Sequence, residues 1–188
     1  MQARKITLHR IILIFLFFTG CGYQLETGSI ASRYSSIAVP YAEGDFDGSF
    51  TKELIRQIAT SGIFQYQRQG SDLLLKVRLM DFDDDNIGYR YFRNKKDKLT
   101  DETIPVETRL FLTAEISLLD ASSGLIIQGP YRLQATTDFD HDYYSTKDAI
   151  NVFSLGQLTD YDEALDAAQK PLHYHLAKKI VDFLADSW

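Results

Sequence analysis

Cys21 is the one thiol in a chain of 188 residues, and four other groups of side chains are of types that do chemistry. Asp81, Asp83, Asp84 and Asp85 are close enough to suggest a calcium loop. With Asp81, Asp83 and Asp85 at ligand positions 1, 3 and 5, however, Asn86 falls where the loop needs glycine and Phe92 where it needs a bidentate glutamate. The pattern describes a solvated acidic strand end, not a metal site. Asp138, Asp140 and Asp142 alternate with Phe139, His141 and Tyr143, which on a strand places three carboxylates on one solvent-facing side. His173 and His175 are two apart, about 200° around a helix, and cannot share a metal as an i, i+4 pair would. No G-x-S-x-G, P-loop, H-E-x-x-H or dinucleotide fingerprint occurs, so no catalytic residue is assigned and no enzyme is expected. The fourth group is basic: Arg90, Arg93, Lys95, Lys96 and Lys98 stand against the single acid Asp97. Such a concentration suits the phosphate or carboxylate groups of an anionic glycolipid, and it also suits an ordinary solvated hairpin loop.

What Cys21 is for follows from the residues before it. Arg4, Lys5 and Arg10 begin the chain with no acid among them, and Ile11 to Phe18 are eight consecutive apolar residues. That run fits a secretory h-region and falls well short of the roughly 20 residues a membrane-spanning helix needs. Residues 1–20 are therefore read as an export signal. A lone free cysteine in an exported protein oxidises or pairs between chains, whereas acylation removes the thiol. The junction F-T-G-C, Phe18 to Cys21, resembles a bacterial lipobox. The resemblance implies a diacylglycerol on the Cys21 sulfur, cleavage before Cys21 and an N-acyl group on its amine, with no other cofactor. It also commits the thiol to lipid, which excludes a thiol nucleophile. Gly22, not aspartate, follows Cys21, and in sorting signals of the enteric type this favours the outer membrane, periplasmic side, over retention at the inner one.

The signal removes three of the 20 basic residues and none of the 26 acidic ones, so residues 21–188 carry a net charge of −9. That balance disfavours nucleic acid as a partner. A mature length of 168 residues suits one domain with a hydrophobic core and no disulfide to staple it.

Positioning these groups requires a fold. Residues 21–35 form a polar tether with Gly28 and four serines or threonines, and residues 36–188 are expected to form a single domain. Ser36 to Tyr41 predicts a first strand near a sheet edge, closed by Pro40. A helix follows, capped by Asp47 or Ser49, striped by Phe50, Leu54, Ile55, Ile58 and Ala59, and stopped at Gly62. Ile63 to Gln67 alternates, Gln69-Gly70-Ser71 turns, and Asp72 to Phe82 is a strand with Leu75, Val77 and Leu79 on one face. Ile87, Tyr89 and Tyr91 extend that strand as a long or bulged one, and Arg93 to Thr103 reads as a charged loop. Val106 to Leu119 is a strand with Leu110, Leu112, Ala114, Ile116 and Leu118 in phase; Asp120 to Gly124 turns it, and Leu125 to Asp138 returns antiparallel. Asp162 to Ala185 is helical, with Leu165, Ala168, Leu172, Leu176, Ile180, Phe183 and Leu184 on one side and Pro171 expected to kink or split it. The fold class predicted is α+β: two amphipathic helices on one face of a mainly antiparallel sheet of four to five strands.

Taken together, C-G-Y-Q-L at the mature start, the strand ending in Val39-Pro40, F-T-K-E-L-I-R-Q-I before Gly62, S-D-L-L-L-K-V-R-L, Y-R-Y-F-R-N, L-L-D-A-S-S-G and the terminal A-K-K-I-V-D-F-L resemble the LptE family of outer-membrane lipoproteins over nearly the whole mature chain. The resemblance implies a domain that plugs a large LptD-like β-barrel and assists lipopolysaccharide assembly. It designates Arg93 as a glycolipid contact, with Lys95 and Lys96 beside it. The other reading of the same layout is an LpoB-like activator of a peptidoglycan synthase, or a secretion-channel lipoprotein.

Overall fold

The computed structural model describes residues 33–93, 98–141 and 161–186. The elements are β1 (Ser36–Ala38), α1 (Ser49–Ser61), β2 (Gln65–Tyr66), β3 (Leu73–Arg93), β4 (Leu99–Asp120), β5 (Ile126–Asp140) and α2 (Tyr161–Asp186). They form one five-stranded sheet in the order β2-β1-β3-β4-β5, with β1 parallel to both of its neighbours and β3-β4-β5 an antiparallel meander. Both helices pack on this sheet, which is the two-layer α+β arrangement predicted.

The core is the meeting of two periodicities. Leu73, Leu75 and Val77 of β3 and Leu110, Leu112, Ala114, Ile116 and Leu118 of β4 recur every second residue and are buried on the same face. Phe50, Leu54 and Ile58 of α1, and Ala168, Leu172, Leu176, Ile180 and Leu184 of α2, recur every fourth residue and cover them. Each fully buried large side chain contributes about 1.5–3 kcal/mol relative to exposure.

Several boundaries differ from the sequence expectation, each for a physical reason. β1 has three residues, not six, because the chain leaves the sheet at Val39 and Pro40. It touches β3 again at Glu43, whose N–H donates to the Val77 carbonyl and whose carbonyl accepts from Leu79. The charged segment 93–103 is mostly strand: the β3–β4 ladder runs to the pair Arg93 and Leu99, leaving only residues 94–98 between the strands. Polar composition there signals two wet faces, and a two-stranded ribbon tolerates that.

The N-terminus of α1 is capped from a distance. Gly48, in the left-handed conformation at φ 77°, is the N-cap and lends no side chain. Asp47 accepts from the Ser49 amide at 3.0 Å, and the buried Asp45 carboxylate accepts from both the amide and the hydroxyl of Thr51. Thr51 is therefore buried and Ala59 exposed, the reverse of the predicted stripe at those two positions.

Pro171 does not divide α2, which runs unbroken from Tyr161 to Asp186. Pro171 and Ala167, whose carbonyl loses its i+4 donor to the proline, are both exposed, so water satisfies the freed acceptor.

Edge strand β5 is guarded by α2. Lys179 Nζ donates to the Gln134 carbonyl at 2.8 Å and His175 Nδ1 lies 3.2 Å from the Thr136 carbonyl, so two outward acceptors are taken before another chain could pair with them.

Candidate docking surfaces

Cys21, the signal and tether residues before Arg33, Lys95 and Lys96 lie outside the described residues. Arg93 closes β3, its backbone paired with Leu99, and its side chain also lies outside the description. What the described residues show is the frame that carries the basic segment.

That frame is a long hairpin. Among the described residues β5 pairs with β4 as far as Glu107 and Asp140, so from Tyr89 to Arg93 the β3–β4 hairpin continues as two strands. Register shifts between Leu79 and Phe82, and again on either side of Gly88, interrupt the regular ladder along this hairpin. Tyr89 and Tyr91 are 59% and 64% exposed, and Ile87 is also exposed, beside the basic run the sequence singled out. Rings with a polar tip next to cationic side chains match a surface that is apolar on one side and anionic on the other.

At the root of the ribbon a buried polar cluster joins the layers. Thr108 is fully buried; its hydroxyl bonds Asn86 Oδ1 at 3.0 Å and lies 2.9 Å from His141 Nε2. Tyr161, the first residue of α2, packs edge-on to His141 and donates to Asp84 Oδ2 at 3.2 Å. Burial first, and then the Asp84 charge, raise the Tyr161 pKa, so it stays a neutral donor. Sequence reading grouped Asp84 with a solvated acidic end and His141 with strand alternation. Their common partners come from segments 77 and 33 residues away.

Among the described residues, the sheet face away from the helices is polar and cross-linked. Arg78 and Arg132 flank Glu115 at 2.7 and 3.8 Å, and Arg109 grips Asp138 with two bonds of 2.7 Å. The Arg109 guanidinium holds the Asp138 carboxyl below its usual range. Exposed pairs like these contribute only about 0.2–1 kcal/mol each. Their effect is to keep the face wet and soluble. Asp81, Asp83 and Asp85 are likewise exposed, and no group of three or more potential metal ligands occurs among the described residues. His173 is half-buried on α2 beside Ser49, and His175 faces the β5 edge, so the structure does not bring the two histidines to one point.

The opposite end of β3 holds the tether. Asp72 Oδ2 accepts from the amides and hydroxyls of both Ser35 and Ser36, at 2.9 to 3.0 Å. Tyr34 reaches Asp120 Oδ2 at 3.4 Å, next to the Asp120–Gly124 turn. At ~3.3 Å per residue, this end lies roughly 70 Å along the strand from Arg93. The serine bonds lower the Asp72 pKa from 3.8, the Ser35 amide foremost. A depressed carboxylate pKa stabilises above the unfolded value and ceases to do so as pH falls through the folded one. We therefore expect the Ser35 and Ser36 amide proton resonances to titrate together below pH ~3.8. In Asp72→Ala both should sit at their acid-limit positions already at pH 7. A midpoint above 4, or amides insensitive to the substitution, would contradict the latch.

These features define a class by architecture: a two-layer α+β domain with a latched N-terminal entry and a protruding hairpin. No family model matches the chain, and no curated protein sequence matches it. Among solved structures it is similar to a minor lipoprotein from Acinetobacter baumannii, at 15% identity and TM-score 0.50, covering 82% of this chain and 92% of that one. The rare lipoprotein B from Shewanella oneidensis matches at 11% identity and TM-score 0.47, covering 81% and 96%. An uncharacterised lipoprotein B from Nitrosomonas europaea matches at 12% and 0.43, covering 81% and 86%. At 15% identity the first of these likenesses concerns the fold alone. No helix among the described residues is long and apolar enough to cross a membrane.

Proposed function

We propose that this protein is an outer-membrane lipoprotein, anchored through acylated Cys21 on the periplasmic side, that docks in a β-barrel lipopolysaccharide translocon and assists assembly at the cell surface. It acts by binding and not by catalysis. The observation that carries the reading is the placement of its two ends. The chain enters the fold at the Asp72 latch, and the ribbon bearing Tyr89, Tyr91 and Arg93 leaves from the other end of the same strand. A domain suspended from the latch puts roughly 70 Å of strand between the point where the tether leaves it and Arg93. Glycolipid met there is glycolipid in transit, away from the leaflet that holds the anchor. The ion-paired open face suits the polar wall of a barrel lumen better than lipid.

Two measurements test this. Purification from detergent-solubilised membranes should retain a large outer-membrane barrel; retention of a peptidoglycan synthase in its place would favour the activator reading. Joint replacement of Arg93, Lys95 and Lys96 by Ala should weaken binding of purified lipopolysaccharide at least about tenfold, since three charge-assisted contacts of more than 1 kcal/mol each are at stake. Unchanged binding by the triple variant would remove the tip from the account.

A further inference from the structure

Beside the loop between β1 and α1 there is a cleft that the glycolipid reading does not use. It holds about 480 Å³ and lies between the β3 bulge and α2. Its apolar wall is Phe46, Leu79, Met80, Phe82 and Leu112. Its rim is Asp45 and Asp47, with Gln169 and His173 of α2 closing the far side.

Phe46 is fully exposed, and the loop that presents it is built to stay where it is. Glu43 is bonded in both directions to β3. Gly44 has φ 86°, and a Cβ there would stand 3.0 Å from the Leu79 carbonyl oxygen, so only glycine allows this approach. Asp45, 4% exposed, is tied to Thr51, and Asp47 to Ser49. A large aromatic ring held in water by a fixed loop, above a half-exposed Phe82, is a preorganised anchor for another molecule's apolar group.

Charge selects the occupant. No Lys or Arg lines this cleft among the described residues. The Ser49 amide and hydroxyl hold the Asp47 carboxyl below its ordinary range, so it is ionised at neutral pH. Burial lowers the His173 pKa against the pull of Asp45, Asp47 and Glu53, which leaves the ring uncharged. The cations Lys52, Arg56 and Lys170 line an adjoining groove that shares Asp47, Gln169 and His173 with the cleft, and there they stand among Glu53 and Asp166. An acidic rim around an apolar floor repels anionic lipid, and it repels the same rim on a second copy of this chain.

We propose that the cleft beneath Phe46 is a docking site for a partner protein, taking an apolar side chain from a segment that carries Lys or Arg beside it.

Met80 supplies the probe. Once residues 1–20 are removed it is the only methionine left in the chain, so methyl-labelled methionine gives one signal from the cleft wall. Against the mature full-length protein in detergent we would titrate the capped tetrapeptide K-L-F-K and its charge-reversed twin E-L-F-E, to about 10 mM, because two side chains support no better than millimolar affinity. K-L-F-K should shift the Met80 methyl saturably, with an effect that weakens as salt rises, and E-L-F-E should not. Phe46→Ser should weaken the K-L-F-K response by about tenfold or more. Because Phe46 is fully exposed, its loss leaves the core intact, and Asp47→Asn provides a second variant that tests the rim alone. Equal responses to the two peptides, no response to either, or a Phe46→Ser titration like the parent's would overturn the proposal.

Discussion

With Cys21 replaced by Ala, and the protein exported behind a signal carrying a conventional cleavage site, the pool in excess of any partner is expected to move from the membrane pellet to the periplasmic extract. The size of the effect follows from chain arithmetic. Each buried methylene contributes about 0.8 kcal/mol, one acyl chain holds only marginally, and two or three hold stably, so removing all of them changes partitioning by many powers of ten. The described domain offers no replacement, since neither helix can cross a membrane and the open sheet face is ion-paired. Fractionation checks the first part, and mass spectrometry of the parent's N-terminal peptide should find Cys21 acylated. Occupancy of the proposed barrel partner should fall together with anchoring. Should the unacylated form fill its partner normally, the anchor would serve only as an address. A variant that stayed in the pellet without any partner would refute lipid attachment at Cys21.

Phe50→Ala is expected to cost about 3–5 kcal/mol, out of the 5–15 kcal/mol that holds a domain of this kind together. Phe50 has no exposed surface, sits in the α1 stripe with Leu54 and Ile58, and meets the His173 ring edge-on at 5.8 Å. Its removal opens a cavity where α1, α2 and the sheet converge. Urea unfolding should show a markedly lower midpoint with an unchanged slope, meaning that the folded state is weaker and not differently compact. Phe46→Ser is the internal control. It lies four residues earlier, is wholly exposed, and should change stability by no more than about 0.5 kcal/mol. If the two substitutions cost the same, the assignment of core and surface around α1 is wrong.

Much of the architecture was legible because its signals are local. The alternation of Leu75 and Val77, the in-phase run Leu110 to Leu118, the Asp120–Gly124 turn with Gly124 at φ 70°, and the two helical stripes apart from Ala59 occur as predicted. Errors fell where a distant partner decides. Segment 99–103 is strand because β3 lies beside it, although its composition reads as loop. Thr51 replaces Ala59 in the buried stripe because Asp45 needs its hydroxyl. Pro171 stays within one helix because the carbonyl it frees faces water.

The candidate sites divide the same way. Short-range covalent and compositional facts were enough to single out Cys21 after its apolar run, the acidic balance of the mature chain, and the basic cluster near Arg93. Nothing in the order of residues shows that Ser35 and Ser36 latch onto Asp72 at one end of β3 while Arg93 ends the other. Nor does it show that Phe46 stands over Met80 and Phe82. Those are distances between segments 30 or more residues apart in the chain. They are set by which faces of helix and sheet must be buried together, and burial is a property of the assembled layers and not of any one stretch of sequence.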